Sequence, residues 1–159
     1  MAEGATYRAV FLRMHPTGKA VLSLSEASQG EEAMLAELAA GELGIPPEDI
    51  KVVHEDTDRF GEGNTFNSEP SDAVGENVAI TAGKLRDKAQ IVAGSMLDTS
   101  PDSLDFDNGR WIAPGGSAEG VRIQEVAAHT FGGFELPEGI EGSLDAQTTY
   151  RVGTVQAAG

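Results

Sequence analysis

Residues 19–54 read KAVLSLSEASQGEEAMLAELAAGELGIPPEDIKVVH, and their periodicity changes twice. Over 19–25 apolar and polar residues alternate, with Ala20, Leu22 and Leu24 on one face and Ser23 and Ser25 on the other, which marks a half-buried strand. From Gly30 to Leu43 the apolar positions Leu35, Leu38, Ala39 and Leu43 recur at helical spacing, and Glu31 and Glu32 suit the positive end of the helix dipole. Gly44 stands where a helix leaves its last turn, and Ile45-Pro46 stop it from resuming. Ile50 to His54 then reads as a short buried strand. Strand, helix and strand, joined through the tight Pro46-Pro47-Glu48-Asp49 link, predict helix layered on sheet rather than a helix bundle.

Upstream, residues 6–13 are mostly apolar and β-prone, and His15-Pro16-Thr17-Gly18 has proline and glycine where a type I turn with a bulge wants them. The pair predicts a β-hairpin. Downstream, Asp72 to Leu97 carries an apolar stripe (Val74, Val78, Ala82, Leu85, Ala89, Val92, Met96) at steps of three and four, the pattern of a long helix lying on a sheet. Gly75, Gly83 and Gly94 weaken that helix, each by about 1 kcal/mol relative to alanine, and suggest close contact with another backbone. Leu104-Asp105-Phe106 and Arg110-Trp111-Ile112 flank Asp107-Asn108-Gly109, a strong hairpin signal. Val121-Arg122-Ile123 reads as a short strand, and Gln124 to His129 as a brief helix. Beyond Phe131 the pattern fails in a stretch rich in Gly, Glu and Pro. The expectation is an α+β fold with a mixed sheet: a partial domain over 1–131 and an extended tail, 132–159, packed on another subunit.

The chain has 159 residues, no cysteine, 26 acidic against 11 basic residues and a net charge of −15. Its length suits one domain. That charge argues against nucleic acid, whose binding rests on cationic contacts to phosphate. Lack of cysteine excludes a disulfide, a zinc ribbon or an iron–sulfur cluster ligated by this chain. His15, His54 and His129 lie far apart with no carboxylate at ligand spacing, so structural roles are the reading for each. No apolar run of roughly 18 residues exists to span a membrane. Met1-Ala2-Glu3-Gly4 lacks the basic and apolar regions of a signal peptide, and a cytoplasmic location is the expectation.

Two polar, glycine-containing loops stand out. Ser28-Gln29-Gly30 opens directly onto the first helix, whose free N–H groups and dipole face any anion lodged there. Gly61-Glu62-Gly63-Asn64-Thr65-Phe66-Asn67-Ser68 lies in a connection too long and polar for a plain joint. The bland reading of both is a helix cap at Ser28 and turn residues in a solvated loop.

These features resemble, in order and spacing, part of the molybdopterin-binding large subunit of the xanthine oxidase / aerobic carbon monoxide dehydrogenase family. The matching features are His15-Pro16-Thr17-Gly18, the Ser28-Gln29-Gly30 loop, ELGIPPEDI (42–50), VVHEDTD (52–58), GNTFNS (63–68), the long helix and SPDSLDFDNGRW (100–111), over roughly residues 6–150. The resemblance implies that Gln29 and Gly30 reach the pterin or its phosphates. It implies too that Asn64, Thr65, Phe66, Asn67 and Ser68 hold the dinucleotide, and that the two loops converge on one pyrophosphate pocket. It further implies a molybdenum–pterin cofactor, with or without cytosine dinucleotide, shared with a larger molybdopterin-binding subunit. FAD and [2Fe–2S] clusters belong on partner subunits, and water supplies oxygen to a small substrate. The segment with the family's catalytic glutamate is absent, so catalysis belongs to the complex and not to this chain alone.

Two departures bear on this. Ser28 stands where the family's loop begins with glycine, and Glu69 where many relatives have arginine. A carboxylate about 4 Å from a phosphate costs on the order of 4 kcal/mol at an effective dielectric near 20. Glu31, Glu32, Glu62 and Asp72 add like charge. The alternative is therefore a non-catalytic scaffold that keeps the fold and the partner surface without cofactor. A free-standing binding protein is a third reading. Ser23, Ser25 and Ser28 have no histidine–carboxylate arrangement that would make a nucleophile.

Overall fold

A computed structural model of the chain describes residues 6–24, 32–54, 71–117, 119–132 and 136–152. Strands β1 (Thr6–Met14) and β2 (Ala20–Leu24) form the hairpin. At its turn the His15 N–H donates to the Lys19 carbonyl at 2.8 Å. Helix α1 (Glu32–Leu43) follows, then one turn of 3-10 helix (Pro47–Asp49) and β3 (Ile50–His54), which pairs parallel to β2. Helix α2 (Ser71–Leu97) is 27 residues long, about 40 Å at 1.5 Å per residue. A small sheet of β4 (Asp105–Asp107), β5 (Arg110–Ile112) and β6 (Val121–Arg122) leads into α3 (Ile123–Phe131). The last strand, β7 (Leu144–Val152), returns to the main sheet, whose order is β3-β2-β1-β7.

The core lies between one face of that sheet and the helices. Val10, Leu12, Met14, Ala20, Leu22, Leu24 and Leu144 face Val74, Val78, Ala82, Leu85, Ala89 and Val92 of α2, all buried. Met96, last in the stripe, is only partly buried. On α1 the buried face is Leu35, Ala36, Ala39, Ala40 and Leu43, whereas Leu38 is 38% exposed. Small alanines let α1 approach the sheet, and Leu38 turns instead to the seam with α2. There it lies so close to Gly75 that an added Cβ would meet its Cδ1 at 3.2 Å. A Cβ at Gly94 would meet the Thr99 carbonyl at 2.7 Å, but one at Gly83 would find open space. The expected contact with backbone thus holds at Gly94 alone, since Gly75 faces only the Leu38 side chain.

Trp111 is fully buried, donates from Nε1 to Gln90 Oε1 at 3.1 Å and stacks at a tilt on Phe106, 4.7 Å between centroids. Asn108 and Gly109, both at positive φ, form the turn between β4 and β5, as the Asn-Gly signal predicts. No helix among the described residues is long and apolar enough to cross a membrane.

Two expectations are corrected. β3 is not fully buried: Ile50 is, but Lys51 and Val53 are exposed, because among the described residues β3 ends the sheet and no helix covers its second face. Residues 144–152 are not part of a tail leaving the domain. They pair with β1 along its whole length, from Thr6↔Val152 to Met14↔Leu144, and the Arg13 guanidinium bonds the Asp145 carboxylate at 3.1 Å across the pair.

Candidate functional site

The sheet has one chemically distinct end. β2 and β3 run parallel, and their last residues, Leu24 and His54, are register partners. α1 links the end of β2 to the start of β3 and so runs back along the sheet, beginning where the strands finish. α2 runs in the same sense as α1: Leu38 meets Gly75, and further on the Arg86 guanidinium bonds the Glu42 carboxylate at 3.0 Å and its carbonyl at 3.1 Å. Against β7, α2 runs antiparallel, its Lys84 and Lys88 reaching the carbonyls of Gln147 and Ser143. The C-terminal ends of β2 and β3 and the N-terminal ends of both helices therefore gather at one side. Open sheets with parallel strands bind ligands at that side, and helix N-termini favour anions.

The sequence-derived site residues Gln29, Gly30, Asn64, Thr65, Phe66, Asn67 and Ser68, with Ser28 and Glu69, lie outside the described residues. Their anchors are described: the chain leaves at Leu24 and resumes at Glu32, and leaves again at His54 and resumes at Ser71. The donor set at this end, two helix N-termini beside two parallel strand ends, fits a phosphate-bearing cofactor. It also holds a carboxylate, Glu32 in the first turn of α1.

One residue there escaped the sequence reading. Arg8 shares the inner face of β1 with Val10, Leu12 and Met14, is half-buried, and has Tyr150 as its register partner on β7. The signal was available: an arginine in phase with three core residues is unusual, since buried cations need partners. Deeper along α2, Thr81 joins the helix to β7. Its hydroxyl lies 2.7 Å from both the Asn77 carbonyl and the Thr148 hydroxyl. With one proton each, Thr81 donates to the carbonyl and accepts from Thr148.

The opposite end of the sheet is plainer. A hollow of about 430 Å³ lies between the 15–19 turn and the start of α3, lined by Lys19, Asp49, Arg122 and Glu125 among others. Lys19 Nζ donates to Asp49 Oδ1 at 2.9 Å, and that bond raises the lysine above its ordinary pKa. The Glu125 carboxylate caps α3 by accepting from the Arg122 N–H at 2.8 Å. The charges here are matched within the chain. Among the described residues no group of three or more His, Cys, Asp or Glu side chains is placed to hold a metal ion.

Comparison with known proteins takes in nearly the whole chain. A family model described as "Molybdopterin cofactor-binding domain" matches residues 2–159. The carbon monoxide dehydrogenase large chain of Afipia carboxidovorans is 31% identical over 142 residues, covering 87% of this chain and 17% of its own length. The crystal structure of a Cu,Mo-CO dehydrogenase superposes with a TM-score of 0.75 at 31% identity, over 90% of this chain and 18% of that one. Quinoline 2-oxidoreductase from Pseudomonas putida 86 gives a TM-score of 0.73 at 26% identity, over 93% and 19%. The chain thus spans less than a fifth of the length of these relatives. Fold, element order and family model agree: the chain belongs to the molybdopterin cofactor-binding domain family, in the part found in large subunits of carbon monoxide dehydrogenase type.

Proposed function

We propose that the chain is one subunit of a multi-subunit molybdenum hydroxylase and forms one wall of its molybdopterin site. The assembly would oxidise a small substrate with oxygen from water. The observation that carries this reading is the pairing of Leu24 with His54. The two loops whose strings resemble the family's cofactor loops depart from adjacent strand ends, beside two helix N-termini. In this reading Gln29 and Gly30 hold the pterin side. Asn64, Thr65, Phe66, Asn67 and Ser68 hold a dinucleotide tail ending in cytosine. Arg8, at the same end, offsets the carboxylates there. The bound molybdenum group supplies the redox chemistry, and this chain's residues bind and orient it. A larger molybdopterin-binding subunit completes the site, and subunits with FAD and [2Fe–2S] clusters take the electrons. The test is purification of the tagged chain from its own cells, followed by identification of companions and metal analysis. Larger flavin, iron–sulfur and molybdenum subunits should accompany it. A stable monomer without companions contradicts the reading.

A second reading is favoured by Glu32 in the first turn of α1, with Glu31, Glu62 and Glu69 close in sequence to the two loops. Carboxylates at a helix N-terminus already satisfy the dipole that a phosphate would use. The chain would then be a scaffold of the same assembly, stabilising it without touching the cofactor.

A further inference from the structure

The main sheet ends in two edges, and they are treated differently. Along β7, α2 lays two lysines on the outer rim: Lys84 Nζ donates to the Gln147 carbonyl at 3.1 Å and Lys88 Nζ to the Ser143 carbonyl at 2.8 Å. They occupy carbonyls that an added strand would need, whereas β3 carries a lysine of its own, the exposed Lys51, on the face opposite Ile50 and Val52. Along β3, among the described residues, no strand pairs with the outer side. Alternate residues of a parallel strand turn both N–H and C=O to the same side, so the outer side of β3 carries a backbone row that no described strand pairs with.

Beside that row lies a hollow of about 430 Å³ between α1, the Pro47–Asp49 turn and β3. Its lining includes Ala36, Ile50 and Val52, and it has no lysine or arginine. Glu37 and Glu48 line it too, and both are exposed. An apolar floor beside an open strand edge suits an extended chain whose alternate side chains point inward. A carboxylate rim on a chain of net charge −15 selects a cationic occupant and repels a second copy of this chain.

We infer that the open edge of β3 docks an extended segment of a partner subunit, apolar at alternate positions and flanked by lysine or arginine. The naming of that partner rests on the subunit reading above; the chemistry of the groove does not. The segment adds to β3 by main-chain hydrogen bonds, sets its apolar side chains over Ala36, Ile50 and Val52, and places its cations at Glu37 and Glu48.

The test uses the full chain and a capped seven-residue peptide alternating valine and threonine with lysine at both ends. Two controls accompany it: the same peptide with glutamate ends, and the lysine peptide with alternate backbone nitrogens methylated. Binding is followed by calorimetry and by amide NMR shifts. The lysine peptide should saturate the chain and shift the amides of Ile50 to His54. The glutamate peptide should bind at least about tenfold more weakly, and the methylated peptide not at all. The surface double variant Glu37→Lys/Glu48→Lys, its folding checked by its unfolding midpoint, should lose about tenfold in affinity. No saturable binding, equal affinity for the two charge types, or shifts confined to other elements would overturn the inference. No cofactor enters this assay, so its failure leaves the molybdopterin reading standing, and loss of that reading leaves the groove intact.

Discussion

Gly44 shows at the residue scale how a sequence signal can have two causes. It ends α1 at φ +75°, as a helix-stop glycine should, but a Cβ there would also strike the backbone of Gly109 in the β4–β5 turn. Only the first reason was legible, because the second depends on a residue far along the chain. Gly44→Ala should therefore destabilise the chain by on the order of 3 kcal/mol in urea unfolding, more than a lost cap alone. Gly83, with open space around it, should behave oppositely: Gly83→Ala should stabilise by about 1 kcal/mol, the intrinsic helix preference. Lys19 gives a pH test. Its bond to Asp49 raises its pKa above the ordinary 10.5, so the contribution of this pair is complete below that value and fades as pH rises through the raised one. Asp49→Asn should return the Lys19 titration, followed by NMR, to the ordinary range, and should change stability at neutral pH only slightly, as exposed pairs do.

Elements with a local period were readable: the hairpin, α1, α2 and the Asn108-Gly109 turn each carry their signal within a few residues. β7 was not. Its partner is β1, and the cross-strand pair of Arg13 and Asp145 is separated by 132 residues, so nothing near 144–152 announces it. Its inner face also breaks the apolar rule at Thr148, which is buried because Thr81 on α2 shares a hydrogen bond with it. The seam between α2 and β7 can be tested through that pair. Thr81→Val strands the Thr148 hydroxyl and should cost about 1–3 kcal/mol. Thr81→Val/Thr148→Val should cost clearly less than the sum of the single changes in a double-mutant cycle. Additive losses would mean that the hydroxyls do not couple helix to strand. The residues of the two candidate loops lie outside the described residues. What the sequence could not show is that the strand ends they leave from, Leu24 and His54, are register partners in a parallel pair.

At the scale of the molecule, the chain is a helix-covered sheet with one anion-favouring end, one edge where two α2 lysines bond carbonyls, and one edge that no described strand pairs with. That is an arrangement suited to a part of something larger. Kinship to the molybdopterin-binding family, over less than a fifth of its relatives' length, agrees with this view. The charge of −15 makes association with a basic surface salt-sensitive, so binding to companions should weaken as ionic strength rises. What separates a cofactor wall from a scaffold is the molybdenum and pterin bound per assembly, measured for the purified complex with the native chain and with Gln29→Ala/Thr65→Ala. The account predicts full occupancy with the native chain and a several-fold drop with the variant, while the companions still co-purify. Unchanged molybdenum and pterin in the variant assembly would contradict it.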